Sequence, residues 1–518
     1  MSASNPTEPD ATQGGTAMSG VVARGALVNV LGGVGKLLLP ASLVIITRLF
    51  GPDIVGLFVL GFIMIDVATN LTVSGINDGV LMLASREDVA KDDARVHRVV
   101  ANGFVLSLAA ASVILIAAWV GGPALIRLAM VDAERLEDAE RVAPLVQVMV
   151  LSVPFRVVST VVIAATKVKM TMKWDALLAG FCRSATFLVA AIIAYFVDGT
   201  AVSLAWAYVA GWVAVGVASM FVFRLYYRYA ALFAELARLK ISWELVRFAI
   251  PQNLNMAFGR FATDIDAVML AYFSVPTEDL AFYWMGGQIV RNVRQIKLIF
   301  SGAYAPVIAR MHAMGEHIAM NQSFSMVSRW ATTLALPAAL VIVFFRSDLI
   351  WLFHETFTDD TRFMLLLLII PLLSCSVGLA SNVIVMTGHS GWNLFNSLTM
   401  AAINIALNYV LIPRFGILGA AAASVIASVV TSSMALLEAR VIVGVSLQLG
   451  QVYKPFVAGL AGLAVSTAWL WMGPATTMLT NLTGCALALT SYVGVLFALG
   501  IPQNDLDTLL PWRTASRA

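Results

Sequence analysis

The sequence predicts an all-α polytopic membrane protein with about fourteen transmembrane helices. Hydrophobic residues make up 60% of the chain and charged residues 12%, and the mean hydropathy is +0.86. Soluble domains are about 45–50% apolar and about 25% charged. Apolar runs of about 20 residues, the length that spans a bilayer, follow one another along the 518 residues. A soluble globular protein is therefore excluded.

The expected spans are the apolar runs that lie between charged residues or between Gly and Pro breaks. They cover residues 25–47, 54–82, 99–120, 145–166, 176–196, 202–223, 249–273, 281–304, 330–346, 363–386, 394–412, 417–437, 455–472 and 478–500. Little of the chain remains for a domain outside the membrane. We therefore expect the function to lie within the helical bundle.

Loop charges predict that both termini lie in the cytoplasm. In the first half of the chain, the loops on the side of the termini are rich in Lys and Arg. The opposite loops contain few basic residues, most of them placed among acidic ones. Basic loops stay on the cytoplasmic side of a membrane. We therefore expect a multi-pass protein of the bacterial inner membrane.

A basic, amphipathic link and a weak internal repeat divide the chain. The link covers residues 224–248, and residues 50–61 (FGPDIVGLFVLG) are similar to residues 273–286 (FSVPTEDLAFYWMG). Tandem repeats of this kind are typical of transporters whose substrate lies between two bundles. The expected organisation is a tail (1–20), an N-terminal lobe of six helices (21–223), the cytoplasmic link, a pseudo-symmetric C-terminal lobe (249–437), two further helices (438–500) and a tail (501–518).

Several charged residues fall within the predicted spans, where a charge at the bilayer centre costs at least ~2.5–3.5 kcal/mol. Cations outnumber acidic residues there. The cations are Lys36, Arg156, Arg183, Arg260, Arg291, Arg294 and Lys297, and the acidic residues are Asp66, Asp264 and Asp266. Such residues usually face a partner or a water-filled cavity. The excess of cations predicts a positively charged cavity between helices.

Three of these cations form a stripe on the eighth span. Arg291, Arg294 and Lys297 are three residues apart, so on a helix they lie within an arc of about 120°. Gln288, Asn292 and Gln295 extend the same polar face. A helix with such a face cannot face lipid, and we expect it to line the cavity.

The seventh span contains a second polar group. Arg260 and Asp264 are four residues apart and can form an ion pair on one helix face. When the repeat is aligned on its closing glycine, Lys36 of the first span falls close to Arg260 of the seventh. For Arg156 and Arg183 we expect pairing, or extension toward the lipid headgroups, rather than ligand binding.

Residues 404–424 (NIALNYVLIPRFGILGAAAAS) carry a resemblance to a known family. They resemble the late-helix signature of the polysaccharide exporters, the O-antigen and exopolysaccharide flippases of the multidrug/oligosaccharidyl-lipid/polysaccharide superfamily. Segments 47–56, 248–273 and 281–306 follow the family's order, so the resemblance covers nearly the whole chain. It implies two lobes around a central cavity that opens alternately to each side, and Asp266 matches an acidic residue usual in the seventh span.

A lipid-linked sugar fits a cationic cavity because a diphosphate joins its polyprenyl chain to the glycan. Arginine binds phosphate oxygens in a bidentate manner. The expected substrate site comprises Lys36, Arg260, Arg291, Arg294 and Lys297. The expected function is a flippase for polyprenyl-diphosphate-linked oligosaccharides in cell-surface or exopolysaccharide assembly. A polysaccharide polymerase or co-polymerase is a candidate partner.

Ion coupling and three other functions remain open. The ATP-binding pattern G-x-x-x-x-G-K-[ST] is missing, so we expect no cofactor and a proton or sodium gradient as the energy source. Asp66, Asp264 and Asp266 are the candidates for coupling, although structural ion pairing is the simpler role for each. Alternatives are a peptidoglycan-precursor flippase, a multidrug or ion antiporter of the same superfamily, and a membrane enzyme. The loops lack an acid/base constellation, so we expect no catalysis.

Other partners are disfavoured. The formal net charge is +3 and the basic residues are not gathered into a patch, which argues against nucleic acid. The three cysteines lie in apolar runs and the five histidines are scattered over loops. Neither pattern has the spacing of a metal site.

Overall fold

The computed structural model describes residue 38 and residues 41–89, 91–121, 133–169, 174–238, 241–355, 360–471 and 478–500. All regular structure in these ranges is helical. The predicted all-α fold class is therefore confirmed. The two predicted tails and Lys36 lie outside the described residues.

The first half of the chain, up to Arg238, forms eight α-helices. They are α1 (Ala41–Phe50), α2 (Pro52–Val89), α3 (Asp93–Val120), α4 (Ala133–Met149), α5 (Val153–Val168), α6 (Arg183–Val197), α7 (Ala201–Tyr226) and α8 (Tyr229–Arg238). A short 3₁₀ turn (Val150–Ser152) joins α4 to α5. A π-helical segment (Asp175–Cys182) leads directly into α6.

The second half begins at Trp243. Its helices are α9 (Trp243–Tyr272), α10 (Thr277–Arg291), α11 (Arg294–Ala313), α12 (His317–Trp351), α13 (Arg362–Ser376), α14 (Leu379–Met386), α15 (Ser390–Glu438), α16 (Leu449–Trp471) and α17 (Met478–Ala498). A π-helical turn (Ala439–Val443) follows α15. The first helix of this half, α9, starts six residues before the predicted span.

Polar side chains define the starts of several helices. The Asp92 carboxylate accepts a hydrogen bond from the Arg95 backbone N–H at 3.0 Å, at the start of α3. At the start of α9, the Ser242 hydroxyl accepts a hydrogen bond from the Leu245 backbone N–H. At the start of α7, the Thr200 hydroxyl accepts one from the Ser203 backbone N–H. Each cap satisfies one of the backbone N–H groups that the first turn leaves without a partner.

Eight helical segments of the described chain are long and apolar enough to cross a membrane. A ninth crossing results if α13 and α14, which are bent by 42°, count as one span. In the most apolar 18-residue stretch of α2, 65% is buried inside the protein. The corresponding share is 22% in α3 and in α17. Thus α2 lies at the centre of the bundle, whereas α3 and α17 lie at its outside and expose apolar surface. The total of about fourteen crossings stays a prediction.

Helix α15 contains a sharp kink at Gly416, where φ is 53° and ψ is −129°. These angles are costly for any residue with a Cβ atom. The kink separates the two predicted spans 394–412 and 417–437. A Cβ on Gly419 would lie 2.3 Å from the Leu411 carbonyl oxygen, so the glycine allows the segments on both sides of the kink to approach closely.

The two repeated segments have similar local geometry and contact each other. Gly51 has φ 82° and Ser274 has φ 56°, and in both segments a proline precedes or begins the next helix. The Thr277 hydroxyl donates a 2.5 Å hydrogen bond to Asp53 Oδ1. A Cβ on Gly56 would lie 2.1 Å from the Thr277 carbonyl oxygen. The start of α2 therefore packs against the corresponding start of α10.

The link between the halves contains the short helix α8. Its Glu235 carboxylate pairs with Arg98 at 3.0 Å and with Arg238 at 2.8 Å. The hydrogen bond from Arg98 is the main cause that lowers the pKa of the Glu235 carboxyl. The pair with Arg98 attaches α8 to the start of α3, and the pair with Arg238 lies within α8.

The other end of α2 packs tightly on α9 at Gly75. A Cβ on Gly75 would lie 2.4 Å from the Ala249 carbonyl oxygen, and the Gly75 N–H donates a 2.6 Å hydrogen bond to Asn253 Oδ1. Gly75→Ala should destabilise the protein by about 1–3 kcal/mol. The new methyl group would collide with the α9 backbone at Ala249 and Asn253, which cannot move aside as a flexible side chain could. Thermal unfolding in detergent measures this change.

Gly494→Ala is the matched control for that prediction, because no atom lies within 4 Å of the position of the new Cβ. Its unfolding temperature should stay close to that of the unsubstituted protein. If the two alanine variants unfold at the same temperature, the close packing of α2 on α9 at Gly75 does not contribute to the stability of the protein.

Candidate functional site

A cavity of about 370 Å³ lies at the middle of α2, where the two halves meet. Its wall has an apolar, mostly aromatic part and a polar part. The apolar part consists of Leu43, Phe58, Phe62, Phe187, Tyr208 and Trp284, and the polar part of Asp66, Asn70, Arg156, Arg183, Arg260 and Gln288. The combination of rings and charged groups is typical of a ligand site.

Asp66 is the centre of the polar wall. Its Oδ1 atom lies 2.8 Å from Arg156 Nη2, and its Oδ2 atom lies 2.7 Å from Arg260 Nε. Asn70 donates a 3.1 Å hydrogen bond to the same carboxylate. One carboxylate thus binds arginines from α5 and α9, which belong to different halves of the chain.

Arg260 also forms the predicted ion pair with Asp264. The Nε atom of Arg260 lies 2.8 Å from Asp264 Oδ2. Two of the three acidic residues proposed for ion coupling, Asp66 and Asp264, therefore bind arginine side chains.

The stripe of cations on the predicted eighth span is divided between two helices. Helix α10 ends at Arg291 and α11 begins at Arg294. The intervening turn is tight, because the N–H groups of Asn292 and Val293 bond to the carbonyl groups three residues earlier. In such 3₁₀ turns, residues three apart lie nearly in line. The turn therefore keeps Arg291 and Arg294 on one side.

These cations have weak or no carboxylate partners. Arg291 Nη1 lies 3.9 Å from Asp264 Oδ1, and its Nη2 atom is buried without a hydrogen-bond partner. Within the described ranges, no carboxylate lies within 4 Å of Arg294 or Lys297. A Cβ on Gly378 would lie 2.9 Å from the Lys297 amine. Arg260 interacts electrostatically with both Arg291 and Arg294.

Arg156 and Arg183, for which the sequence favours a structural role, both line the cavity. Their guanidinium carbons each lie 5.2 Å from the centre of the Trp212 ring. Arg156 is neutralised by Asp66. Arg183 has no carboxylate within 4 Å in the part of the chain that the structure describes. The sequence signal for both residues is an arginine within an apolar run, and it does not reveal that they share one ring.

Asp266, the third acidic residue, lies in a separate buried cluster of neutral groups. The Tyr283 hydroxyl donates to its Oδ2 atom at 2.7 Å, and Asn408 donates to its Oδ1 atom at 3.1 Å. Ser424 also donates to the carboxylate, and Asn404 bonds to Ser424. Among the described residues, no cationic side chain lies within 4 Å of Asp266.

Taken together, the described site has an excess of positive charge. Arg156, Arg183, Arg260 and Asp66 line the cavity, whereas the lining residues do not include Arg291, Arg294, Lys297, Asp264 or Asp266. Over both groups, the described chain has six cations and three carboxylates, a formal excess of three positive charges. Lys36, the remaining predicted cation, is outside the described residues. An anionic ligand would balance this excess.

The family model described as polysaccharide biosynthesis protein matches residues 22–312, more than half of the chain. No curated protein sequence matches the chain.

Solved structures of transporters match most of the chain. The lipid II flippase MurJ, in an inward closed conformation, has 12% identity and a TM-score of 0.66, and the match covers 90% of this chain and 98% of MurJ. An inward-facing multidrug resistance transporter of the MATE family has 16% identity and a TM-score of 0.63, with 83% and 94% covered. A MOP superfamily transporter from Pyrococcus furiosus has 15% identity and a TM-score of 0.60, with 85% and 99% covered. The fold is that of MOP superfamily transporters.

Proposed function

This chain belongs to the polysaccharide biosynthesis protein family, and we propose that it is a flippase for polyprenyl-diphosphate-linked oligosaccharides. The observation that supports this proposal is the excess of cations inside a membrane protein. Arg291 has only a 3.9 Å carboxylate contact, and Arg294 and Lys297 have none within 4 Å in the described ranges. Unbalanced charges at membrane depth are costly and mark substrate pathways. A diphosphate supplies the missing negative charge.

The proposed arrangement assigns each part of the substrate to a different environment. Arg260, Arg291, Arg294 and Lys297, together with Lys36, bind the diphosphate through charge-assisted hydrogen bonds. The glycan occupies the cavity beside α2. The polyprenyl chain stays in the bilayer, where its hydrocarbon is soluble. Only the polar part of the lipid then has to pass through the protein.

Contacts between the halves on both sides of the cavity support alternating access. At one end, Arg48 donates hydrogen bonds to the carbonyl groups of Trp351 and Leu352 at 2.9 and 2.6 Å. At the other end, Gln252 donates to Asp78 at 2.9 Å. Opening the cavity to one side requires one set of contacts to break while the other persists. We propose that both termini face the cytoplasm and that transport proceeds across the inner membrane.

Asp266 is the proposed coupling residue. Asp66 and Asp264 bind arginines, whereas Asp266 binds only neutral donors. The buried Oδ1 atom of Asn408 has no hydrogen-bond partner, so a further oxygen is available beside the carboxylate. A proton or a sodium ion bound there would be electrostatically favoured, because the surroundings exclude water.

The coupling proposal predicts that collapsing the proton or sodium gradient slows flipping in proteoliposomes. Asp266→Asn should remove the dependence on the gradient, because the amide cannot bind a proton or a cation with a negative charge. The measurement is the flipping rate with and without an ionophore. Asp198→Asn, on an exposed loop, is the control and should retain the dependence. An unchanged rate in the unsubstituted protein after collapse would falsify the coupling.

The test of the proposed function is flipping of a fluorescent polyprenyl-diphosphate oligosaccharide in proteoliposomes, followed by its accessibility to an added glycosidase. Lipid II and a cationic dye serve as the other substrates, because a peptidoglycan-precursor flippase and a multidrug antiporter are the alternatives. A positive cavity disfavours cationic drugs. Transport of lipid II alone, or of the dye alone, would reject the proposal. A polysaccharide polymerase or co-polymerase is the proposed partner that consumes the product.

A further inference from the structure

Arg183 differs from the other arginines of the cavity in its electrostatic environment. Arg156 and Arg260 each bind Asp66 at 2.8 and 2.7 Å. Arg183 has no such contact within the described residues, and its guanidinium group is placed against the face of Trp212. Cation–π contact orients a guanidinium group but leaves its N–H donors available. Arg183 is therefore a fixed, unneutralised donor in the wall of the cavity.

The surfaces around Arg183 suit a ring that bears hydroxyl groups. Phe58 and Phe187 are stacked with their centroids 5.8 Å apart, and Tyr208 packs edge-on against Phe58 at 5.9 Å. The Tyr208 hydroxyl and the Trp284 indole N–H are buried without a hydrogen-bond partner of good geometry. Polar groups buried in this way are costly unless a ligand satisfies them. Apolar rings and unsatisfied donors together describe a site for one or two sugar rings.

We propose that this part of the cavity is a subsite for an acidic sugar, whose carboxylate binds Arg183. The inference rests on the proposed function and specifies the glycan that is carried. Among the described residues that line the cavity, Arg156, Arg183 and Arg260 accompany Asp66 alone, a formal excess of two positive charges. A sugar carboxylate bound at Arg183 would offset part of this excess. The repeating unit accordingly contains a uronic acid or a comparably acidic sugar.

The test is a binding measurement on the full-length protein in nanodiscs of neutral lipid. The probes are methyl glucuronide and methyl glucoside, which differ only in the carboxylate. Tryptophan fluorescence reports binding, because Trp212 and Trp284 lie at the site. We expect the glucuronide to bind about tenfold more tightly than the glucoside, as for a charge-assisted hydrogen bond. Arg183→Gln should abolish that preference, and Arg183→Lys should retain part of it.

Arg224→Gln is the matched control, because Arg224 lies exposed at the end of α7 and should leave the preference for glucuronide unchanged. Equal affinities for the two probes in the unsubstituted protein would overturn the subsite. So would a preference that persists in a folded Arg183→Gln protein. Binding of geranyl diphosphate to the unsubstituted protein tests the proposed function separately. Its absence would reject the diphosphate site, whereas its presence together with equal affinities for the sugars would reject the acidic subsite alone.

Discussion

Replacing Arg291 and Arg294 together with alanine should reduce flipping of a lipid-linked oligosaccharide by at least about a hundredfold. A hydrogen bond to a charged group contributes about 1.5–3 kcal/mol, and the double variant removes two donors of this kind from the proposed diphosphate site. Arg291 has only a 3.9 Å contact with Asp264, and Arg294 has none within 4 Å in the described chain. The fold therefore loses little when both are removed. Flipping in proteoliposomes and protein abundance in membranes are the measurements.

The control for the double variant is Arg414→Ala with Arg440→Ala. Both side chains are exposed, so the change in total charge is the same while the cavity is unaltered. This control should flip at the normal rate. If the Arg291 and Arg294 variant also flips normally, these arginines do not bind the diphosphate, and the carried substrate has to be reconsidered.

Asp66→Asn should have the largest effect on stability, lowering the free energy of unfolding by about 3–5 kcal/mol. The carboxylate neutralises Arg156 and Arg260 at 2.8 and 2.7 Å, and its side chain is 10% exposed. Its removal leaves Arg156 without a carboxylate within 4 Å among the described residues, whereas Arg260 keeps its contact with Asp264 at 2.8 Å. Because the arginines belong to different halves of the chain, the contact between the halves should weaken as well. Thermal unfolding in detergent measures the loss.

Asp53→Asn provides the comparison for an exposed ion pair on the same helix. Asp53 binds Arg141 at 2.6 Å, but the side chains are 39% and 43% exposed. Exposed ion pairs contribute about 0–1 kcal/mol to the free energy of unfolding. The Asp53→Asn protein should therefore unfold at a temperature close to that of the unsubstituted protein. An Asp66→Asn protein that is equally stable would show that Asp66 is not the residue that neutralises the cavity arginines.

Much of the fold follows from properties that each segment has by itself. The apolar composition excludes a soluble protein, and the predicted break between spans 394–412 and 417–437 coincides with the kink at Gly416. The pair of Arg260 and Asp264 also follows from the sequence, because residues four apart meet on one helix face. The turn between Arg291 and Arg294 does not, since the hydrophobic pattern is continuous there although the helix is not.

The candidate site is only partly predictable for the same reason. The sequence places Arg156, Arg183 and Asp66 in three different apolar runs and offers no indication of which pairs meet. In the tertiary structure, Asp66 binds Arg156 and Arg260. Arg183 instead contacts the ring of Trp212 and binds neither Asp66 nor another carboxylate of the described chain.

By itself, the sequence determined that this chain is a helical membrane protein with more cations than acids in its interior. Only the tertiary structure decided which cations are neutralised and which are available to a ligand. Hydropathy and charge are properties of single segments, and they can be read along the chain. Neutralisation depends on distances of about 3–4 Å between atoms of different helices, and those distances exist only once the helix faces have packed together.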